Sequence, residues 1–534
     1  MQADSTLIRE LCRYNIGTYA DVIYRNALLH PDLEAFVYGR ERVTFSGFNA
    51  RVNALIHTLN LMGFGKGDVI GLLSWNCLEC CDVYGAAMKG GFIASPFNPR
   101  LQAEELEYLI NYSESKVLFV GPELWEMVEK LQPRLPNVSR FISLEGSGPG
   151  MIPYRECLRE GAGKEPNALV GEEDPFIIFY TSGTTGLPRG ALYTHFRKLD
   201  ECRTKSVQLG AREGDRHIMV LPLFHIGGWS HFWTMFYLGG CNIIMPERSF
   251  DPAATLEAVH HEQATDIHIV PTQLVALLAR EDLSGYDLTS LKRIWYAASP
   301  MPVEILRRGI EAFGPIFMQC YGQSESGPDI TFLSMEEHDL SNPSLDKAIL
   351  GSCGRPCRGV HVRIIDQDDK DLGPFEVGEI VVRSKRVMKE YWNRPEETRE
   401  AFAGGWLHTG DMGYYDKRGY IFIVDRKKDM IISGGENIYP REIEEILYKL
   451  PEIEEVAVIG VPDPYWVERV HAVIVLKKGE KLTQEEVKEF SKKNLAAYKC
   501  PKTCEFVKSL PKNPQGKILK RELAALYKND KEQG

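Results

Sequence analysis

Long apolar runs are missing from this 534-residue chain. No stretch approaches the roughly twenty consecutive apolar residues that a membrane-spanning helix needs, so no stable membrane insertion is expected. The opening MQADSTLIRELCRYNIG mixes charge with apolar side chains and lacks the unbroken apolar core of a secretory signal, which points to a cytoplasmic protein. Positive charge is in deficit as well. At a net charge of −11 the chain has no basic field for a nucleic-acid partner, so an anionic ligand must be held by local groups. The twelve cysteines offer no second pair at zinc-ligand spacing, and their one cluster, Cys77, Cys80 and Cys81, reads as buried reduced thiols. Neither G-x-x-x-x-G-K-[ST] nor G-x-G-x-x-G can be placed anywhere, which removes two familiar phosphate loops.

What is present has the balance of a globular protein, with 44% hydrophobic and 26% charged residues. The length predicts two or more lobes. Helical and strand-like periods alternate: TFSGFNARVNALIHTLNLMG and LECCDVYGAAMKGG read as helices, DVIGLLS, KVLFVG, HIMVLPL, CNIIM, DIHIV and RIWYAAS as strands. This rhythm predicts an α/β fold with two parallel-sheet subdomains. Beyond about residue 360, the short strands HVRIID and GEIVVRS between turn residues predict an antiparallel, barrel-like subdomain. Pro440 then suits the first position of a helix, REIEEILYKL. Strands EEVAVIGV and HAVIVL follow, then a helix over TQEEVKEFSKKNLAAY with Thr483 and Glu486 as a capping box, then the strand CEFVK. The division expected is 1–425 for the large lobe, 426–428 for a hinge and 429–534 for a small α+β lobe.

Between two apolar runs lies FIIFYTSGTTGLPRGALYTH, Phe176 to His195. Bare backbone amides and small hydroxyls in such a loop can converge on a phosphate, although by itself the string also fits a polar turn. Its companions decide. YTSGTTGLPRG, YGQSESG, HTGDMGYYDKRGY, DRKKDMIISGGENIYPREIE and PKNPQGKILKREL together resemble the phosphate, nucleotide, ribose, hinge and terminal lysine motifs of the adenylate-forming superfamily. That superfamily comprises acyl-CoA synthetases, luciferases and peptide-synthetase adenylation domains. The resemblance runs in the family's order from near residue 20 to about 527.

The resemblance implies ATP and CoA as co-substrates, Mg²⁺ as the metal and a small carboxylic acid as the partner to be activated. Thr181, Ser182, Gly183, Thr184, Thr185 and Gly186 would hold the β- and γ-phosphates, and Ser324 the α-phosphate. Glu325 would ligate Mg²⁺, a hard cation suited to carboxylate oxygen. Tyr321, with Gly322 and Gln323, would stack on adenine against Ala297, Ala298 and Ser299. Asp411 would accept from the ribose hydroxyls, with Ile423 and Arg426 beside it. Lys517 would bridge carboxylate and α-phosphate during adenylation, and Lys428 would be the hinge. Gly434, Gly435 and Glu436 would line the CoA tunnel, where glycine lets the pantetheine arm pass close to the backbone.

His225, Trp229 and Ala297 would line the acyl pocket, with His225 also counted among the catalytic residues. Trp229, Phe232, Trp233 and Phe236 fall on one helix face, and the first turn of that helix is expected to face the tunnel. One departure stands out: Arg189 occupies the place where the family usually carries lysine. The segment IISGGENIYP is most like the CoA-ligase branch, and no carrier domain follows the terminal motif in this sequence. The expected activity is therefore an AMP-forming acyl-CoA synthetase acting on a hydrophobic monocarboxylic acid, with an aryl-acid CoA ligase as the alternative. A homodimer is expected by analogy with relatives. From other classes, a phosphoryl transferase or an ATP-binding module would differ in products.

Overall fold

A computed structural model describes residues 16–158, 163–166, 169–181, 188–246, 248–299, 301–426, 429–433, 436–463, 465–512 and 518–528. A nine-stranded and an eight-stranded sheet dominate it. In the larger, Cys241–Ile244, Arg216–Met219, Asp266–Ile269, Arg293–Tyr296 and Phe317–Gln323 run parallel, and Gly327–Leu333 then pairs antiparallel with the last of them. In the other, Val69–Leu73 lies parallel to Ile93–Phe97 and Val117–Val120, while Pro175–Thr181 and Arg189–Thr194 form an antiparallel pair. The parallel α/β core follows the helix–strand alternation. The antiparallel additions arise because 182–188 and 324–326 are too short for a crossover connection, which takes a dozen or so residues. The first strand of one hairpin ends at Thr181, beside Glu325 in the turn of the other.

The helix Ile226–Tyr237 corrects one expectation. It is not a one-sided stripe: Ser230, His231 and Thr234 are as buried as Trp229, Phe232, Trp233 and Phe236. Its two sides meet the two sheets. Trp229 packs against Phe176 and Phe179 of the eight-stranded sheet, with ring centroids 5.6 and 5.7 Å away. His231 Nε2 donates to Asp266 Oδ1 of the other sheet at 2.6 Å. A helix between two sheets has no solvent face, so polar side chains appear within the buried pattern.

The Asp266 carboxylate also meets His217 at 3.0 Å, and Arg293 Nε at 2.9 Å on its other oxygen. These direct contacts close the cluster as a hydrogen-bonded set, since ligands around an intervening ion would stand farther apart than 2.6 Å.

The barrel-like reading resolves into a four-stranded antiparallel sheet, in the order Val360–Ile365, Gly378–Ser384, Leu407–Tyr415, Ile421–Arg426. Beyond it, Ile453–Asp463 and Val467–Leu476 pair over their length in a five-stranded sheet. Pro440 opens the helix Pro440–Leu447 as expected, and Thr483 with Glu486 forms the capping box of Gln484–Asn494. That helix stops short of Tyr498 because Leu495 is extended and turns inward to pack on the lobe's apolar cluster. Among the described residues no helix is long and apolar enough to cross a membrane. The eleven cysteines described are buried free thiols, as the sequence suggested.

Candidate active site

The hydroxyl-rich loop is anchored by Thr181, the last residue of its strand, which pairs in register with Arg189 across the hairpin. Past the loop the chain returns as the strand Arg189–Thr194, and among the described residues the next helix starts at His195. Ser182, Gly183, Thr184, Thr185 and Gly186 lie outside the described residues. Thr181 Oγ1 donates to Glu325 Oε1 at 3.0 Å.

Glu325 sits in the turn between Phe317–Gln323 and Gly327–Leu333, and local packing fixes that turn. A Cβ on Gly322 would fall 2.2 Å from the Gly327 carbonyl oxygen, so only glycine lets the two arms approach this closely. Gln323 N–H donates to Ser326 Oγ at 2.9 Å. The Ser324 carbonyl accepts from Tyr193 Oη at 2.6 Å, and the Glu325 carbonyl accepts from Met388 N–H at 2.7 Å. The Glu325 side chain receives a second donor, Tyr391 Oη at 3.0 Å.

From the same segment, Tyr321 Oη donates to Asp411 Oδ2 at 2.6 Å, and Gln323 Nε2 donates to that oxygen at 2.6 Å and to the Thr409 carbonyl at 2.9 Å. Asp411 lies opposite Arg426 in the four-stranded sheet, and Arg426 Nε is 2.8 Å from Oδ1. The Asp411 charge holds the Arg426 guanidinium above its ordinary range. Burial, then Asp411, pushes the Tyr321 phenol well up, so it stays a donor. Three motifs far apart in the sequence thus meet at two carboxylates, Glu325 and Asp411.

Ala297, Ala298 and Ser299 follow the strand Arg293–Tyr296, at the end of the parallel strands nearest the Tyr321 segment. Ala298 takes a left-handed φ of +72°, an uncommon conformation of the kind that concentrates at functional sites. Ile423 is partly buried in its strand, and its carbonyl accepts from Arg441 Nη1 at 2.6 Å. His225 caps the helix Ile226–Tyr237, its Nδ1 accepting from Gly227 N–H at 3.3 Å.

Trp229 departs from expectation: it has no exposed surface, so within that first turn only His225 and Gly227 are not fully buried. Lys428, Gly434, Gly435 and Lys517 fall outside the described residues, and of Glu436 only its strand pairing with Ser433 is described. Tyr391, Tyr193 and Met388 escaped the sequence reading, because nothing in EYWNRPEE marks a tyrosine as neighbour to a carboxylate sixty-six positions earlier.

Thr181 and Tyr391 both donate to Oε1 of Glu325, and its carboxylate offers the hard oxygen that fits Mg²⁺.

Comparison with known proteins agrees with this geometry. The family described as AMP-binding enzyme matches residues 23–392, and the AMP-binding enzyme C-terminal domain matches 442–517. A long-chain-fatty-acid–CoA ligase of Mycobacterium tuberculosis is 34% identical over 520 residues, covering 96% of this chain and 98% of that one. A feruloyl-CoA synthase of an Amycolatopsis species is 35% identical over 500 residues, covering 93% and 97%. The crystal structure of the anthranilate CoA ligase AuaEII with anthranoyl-AMP superposes with a TM-score of 0.88 at 27% identity, covering 96% and 98%.

Proposed function

Since this chain belongs to the AMP-binding enzyme family, we propose that it is an AMP-forming acyl-CoA ligase for a hydrophobic monocarboxylic acid. In the first half-reaction, a carboxylate oxygen attacks the α-phosphorus of ATP and pyrophosphate leaves, giving a mixed anhydride. In the second, the CoA thiol attacks the acyl carbon and AMP departs. Both substrates of the first step are anions, so catalysis depends on fixed donors aimed where charge develops.

The observation that carries this reading is the hydrogen bond from Thr181 to Glu325, which joins the phosphate loop to the nucleotide turn. Through Gln323 the same turn reaches Asp411, which supports Asp411 as the ribose carboxylate. Glu325 would hold Mg²⁺, which supplies charge neutralisation to the phosphate oxygens. Thr181 and the loop after it orient the β- and γ-phosphates, Ser324 the α-phosphate, and Tyr321 with Ala297, Ala298 and Ser299 the adenine. Asp411, with Ile423 and Arg426, receives the ribose. Lys517 brings its charge to the reacting carboxylate, and Gly434, Gly435 and Glu436 admit the pantetheine arm after the small lobe turns about Lys428.

His225 and Ala297 line the acyl pocket, while Trp229, with no exposed surface, belongs to the core. The relatives named above act on fatty and feruloyl groups, so the panel must span both. The buried, reduced thiols support a cytoplasmic site of action.

Incubation with ATP, Mg²⁺, CoA and acids of graded length, with aromatic acids alongside, tests the proposal. AMP and pyrophosphate released only with a hydrophobic acid present are expected. Release of ADP would replace ligation by phosphoryl transfer, and no turnover across the panel would leave a nucleotide-binding module.

A further inference from the structure

The second donor on Glu325 comes from a segment without a role so far. Tyr391 belongs to the strand Glu390–Tyr391, which pairs with Arg189–Thr194 so that Tyr391 lies opposite Ala191. Its hydroxyl shares Glu325 Oε1 with Thr181, both at 3.0 Å. Its backbone N–H is tied to Thr398 Oγ1 at 3.0 Å. One face of the ring is covered by Arg189, whose Cζ stands 5.3 Å from the centroid. Arg189 is held in turn by Glu397, with Nε 2.7 Å from Oε2. Tyr391 is almost wholly buried, and Arg189 has only 16% of its side chain exposed.

We propose that Tyr391 is a positioning residue for Glu325, fixing the rotamer in which its carboxylate meets the divalent cation, and that Arg189 with Glu397 fixes Tyr391. The inference rests on the reading of Glu325 as the metal ligand. A single carboxylate on a hairpin turn has several rotamers. Two donors converging on one oxygen from different strands leave one of them, with the other oxygen directed by geometry. In this pair the phenol hydroxyl donates and the carboxylate oxygen accepts.

These contacts give Arg189 a place in the structure. Its guanidinium lies over the Tyr391 ring while pairing with the Glu397 carboxylate, and it is more weakly hydrated than a lysine ammonium would be there. Arg189 is therefore built into the wall behind the metal carboxylate, acting through Tyr391.

The test uses the full-length protein with a non-cleavable ATP analogue carrying a methylene between the α- and β-phosphorus, and Mn²⁺ as the paramagnetic probe. Free Mn²⁺ is read by electron paramagnetic resonance. Tyr391→Phe is expected to weaken Mn²⁺ binding in the analogue complex about tenfold, the lower end of what loss of an outer partner to a metal ligand costs. Analogue binding in EDTA should stay unchanged. Arg189→Lys and Glu397→Gln, which leave Tyr391 in place, should move Mn²⁺ affinity in the same direction by a smaller factor. Glu325→Gln is the control. If it loses Mn²⁺ while Tyr391→Phe and Glu397→Gln bind like the parent, the positioning role is wrong and the metal reading stands. If Glu325→Gln binds Mn²⁺ like the parent, the metal reading itself is wrong. Equal weakening with and without metal in Tyr391→Phe would also overturn the inference, since it would mark general damage to the nucleotide site.

Discussion

Arg426 Nε lies 2.8 Å from Asp411 Oδ1, while Tyr321 and Gln323 both donate to Oδ2. One buried carboxylate thus ties the nucleotide turn to the last strand before the proposed hinge. Asp411→Asn keeps the shape but removes the charge that Arg426 faces and turns one acceptor into a donor. The ATP KM should rise roughly ten- to a hundred-fold, the range for losing hydrogen bonds to a charged group, with a smaller change in KM for CoA. Parallel titrations of both substrates check this, and equal change in both would remove Asp411 from ribose recognition.

Gly322 offers a second handle on the same turn. In Gly322→Ala the new Cβ would meet the Gly327 carbonyl oxygen at 2.2 Å and the Pro328 carbonyl carbon at 2.5 Å. Both are backbone atoms that cannot rotate away. The arms must spread, moving Gln323 and Glu325 off Asp411 and Thr181. Overpacking of this kind costs about 1–3 kcal/mol of stability. ATP–pyrophosphate exchange should fall by more than the folded fraction does. A variant with unchanged denaturant midpoint and exchange rate would show that the turn is not tight.

Alone, the glycines and hydroxyls around Thr181, Glu325 and Asp411 mark only turns. Taken together, in the family's order, their stretches were recognisable as candidates by resemblance. What joins them was not. Tyr391, Tyr193 and Met388 reach the Glu325 turn from other strands. Their side-chain types are those of ordinary core, and only the sheet register brings them near. The two sheets were legible as alternating periods, but the antiparallel hairpins at 181–189 and 323–327 were not, because a strand's direction leaves no mark on its composition. The helix at Trp229 misled for a related reason: its pattern shows which residues are apolar, and its place between two sheets buries the rest.

Buried neutral histidines set the acid side of the stability profile. Burial lowers His195 to about 3, and His231 and His338 to about 4, from the usual 6.5. His195 Nδ1 accepts from Tyr19 N–H at 3.2 Å, a bond that protonation would remove. The unfolded chain takes up these protons near pH 6.5 and the native state does not. Their contribution is complete above pH 6.5 and is lost as pH falls from there toward 4, by up to about 1.4 kcal/mol per pH unit for each histidine. Calorimetry across that window should show a falling Tm and proton uptake on unfolding. A flat Tm between pH 6.5 and 4 would mean that the imidazoles are not held neutral.

The two half-reactions give the sharpest division of labour. Lys517 is proposed to bring its charge to the carboxylate and α-phosphate only while the adenylate forms, and Lys428 to let the small lobe turn afterwards. Lys517→Ala should lower adenylation by about two to three orders of magnitude, the scale of losing one preorganised charge-stabilising group. It should leave thioester formation from a synthetic acyl-adenylate nearly intact. Lys428→Pro fixes one backbone dihedral at the pivot, so it should slow the second half-reaction while adenylation persists. Single-turnover measurements of each step separate the two effects. If Lys517→Ala impairs both steps equally, the lysine serves binding or folding, and if Lys428→Pro runs both at the parent rate, the pivot lies elsewhere.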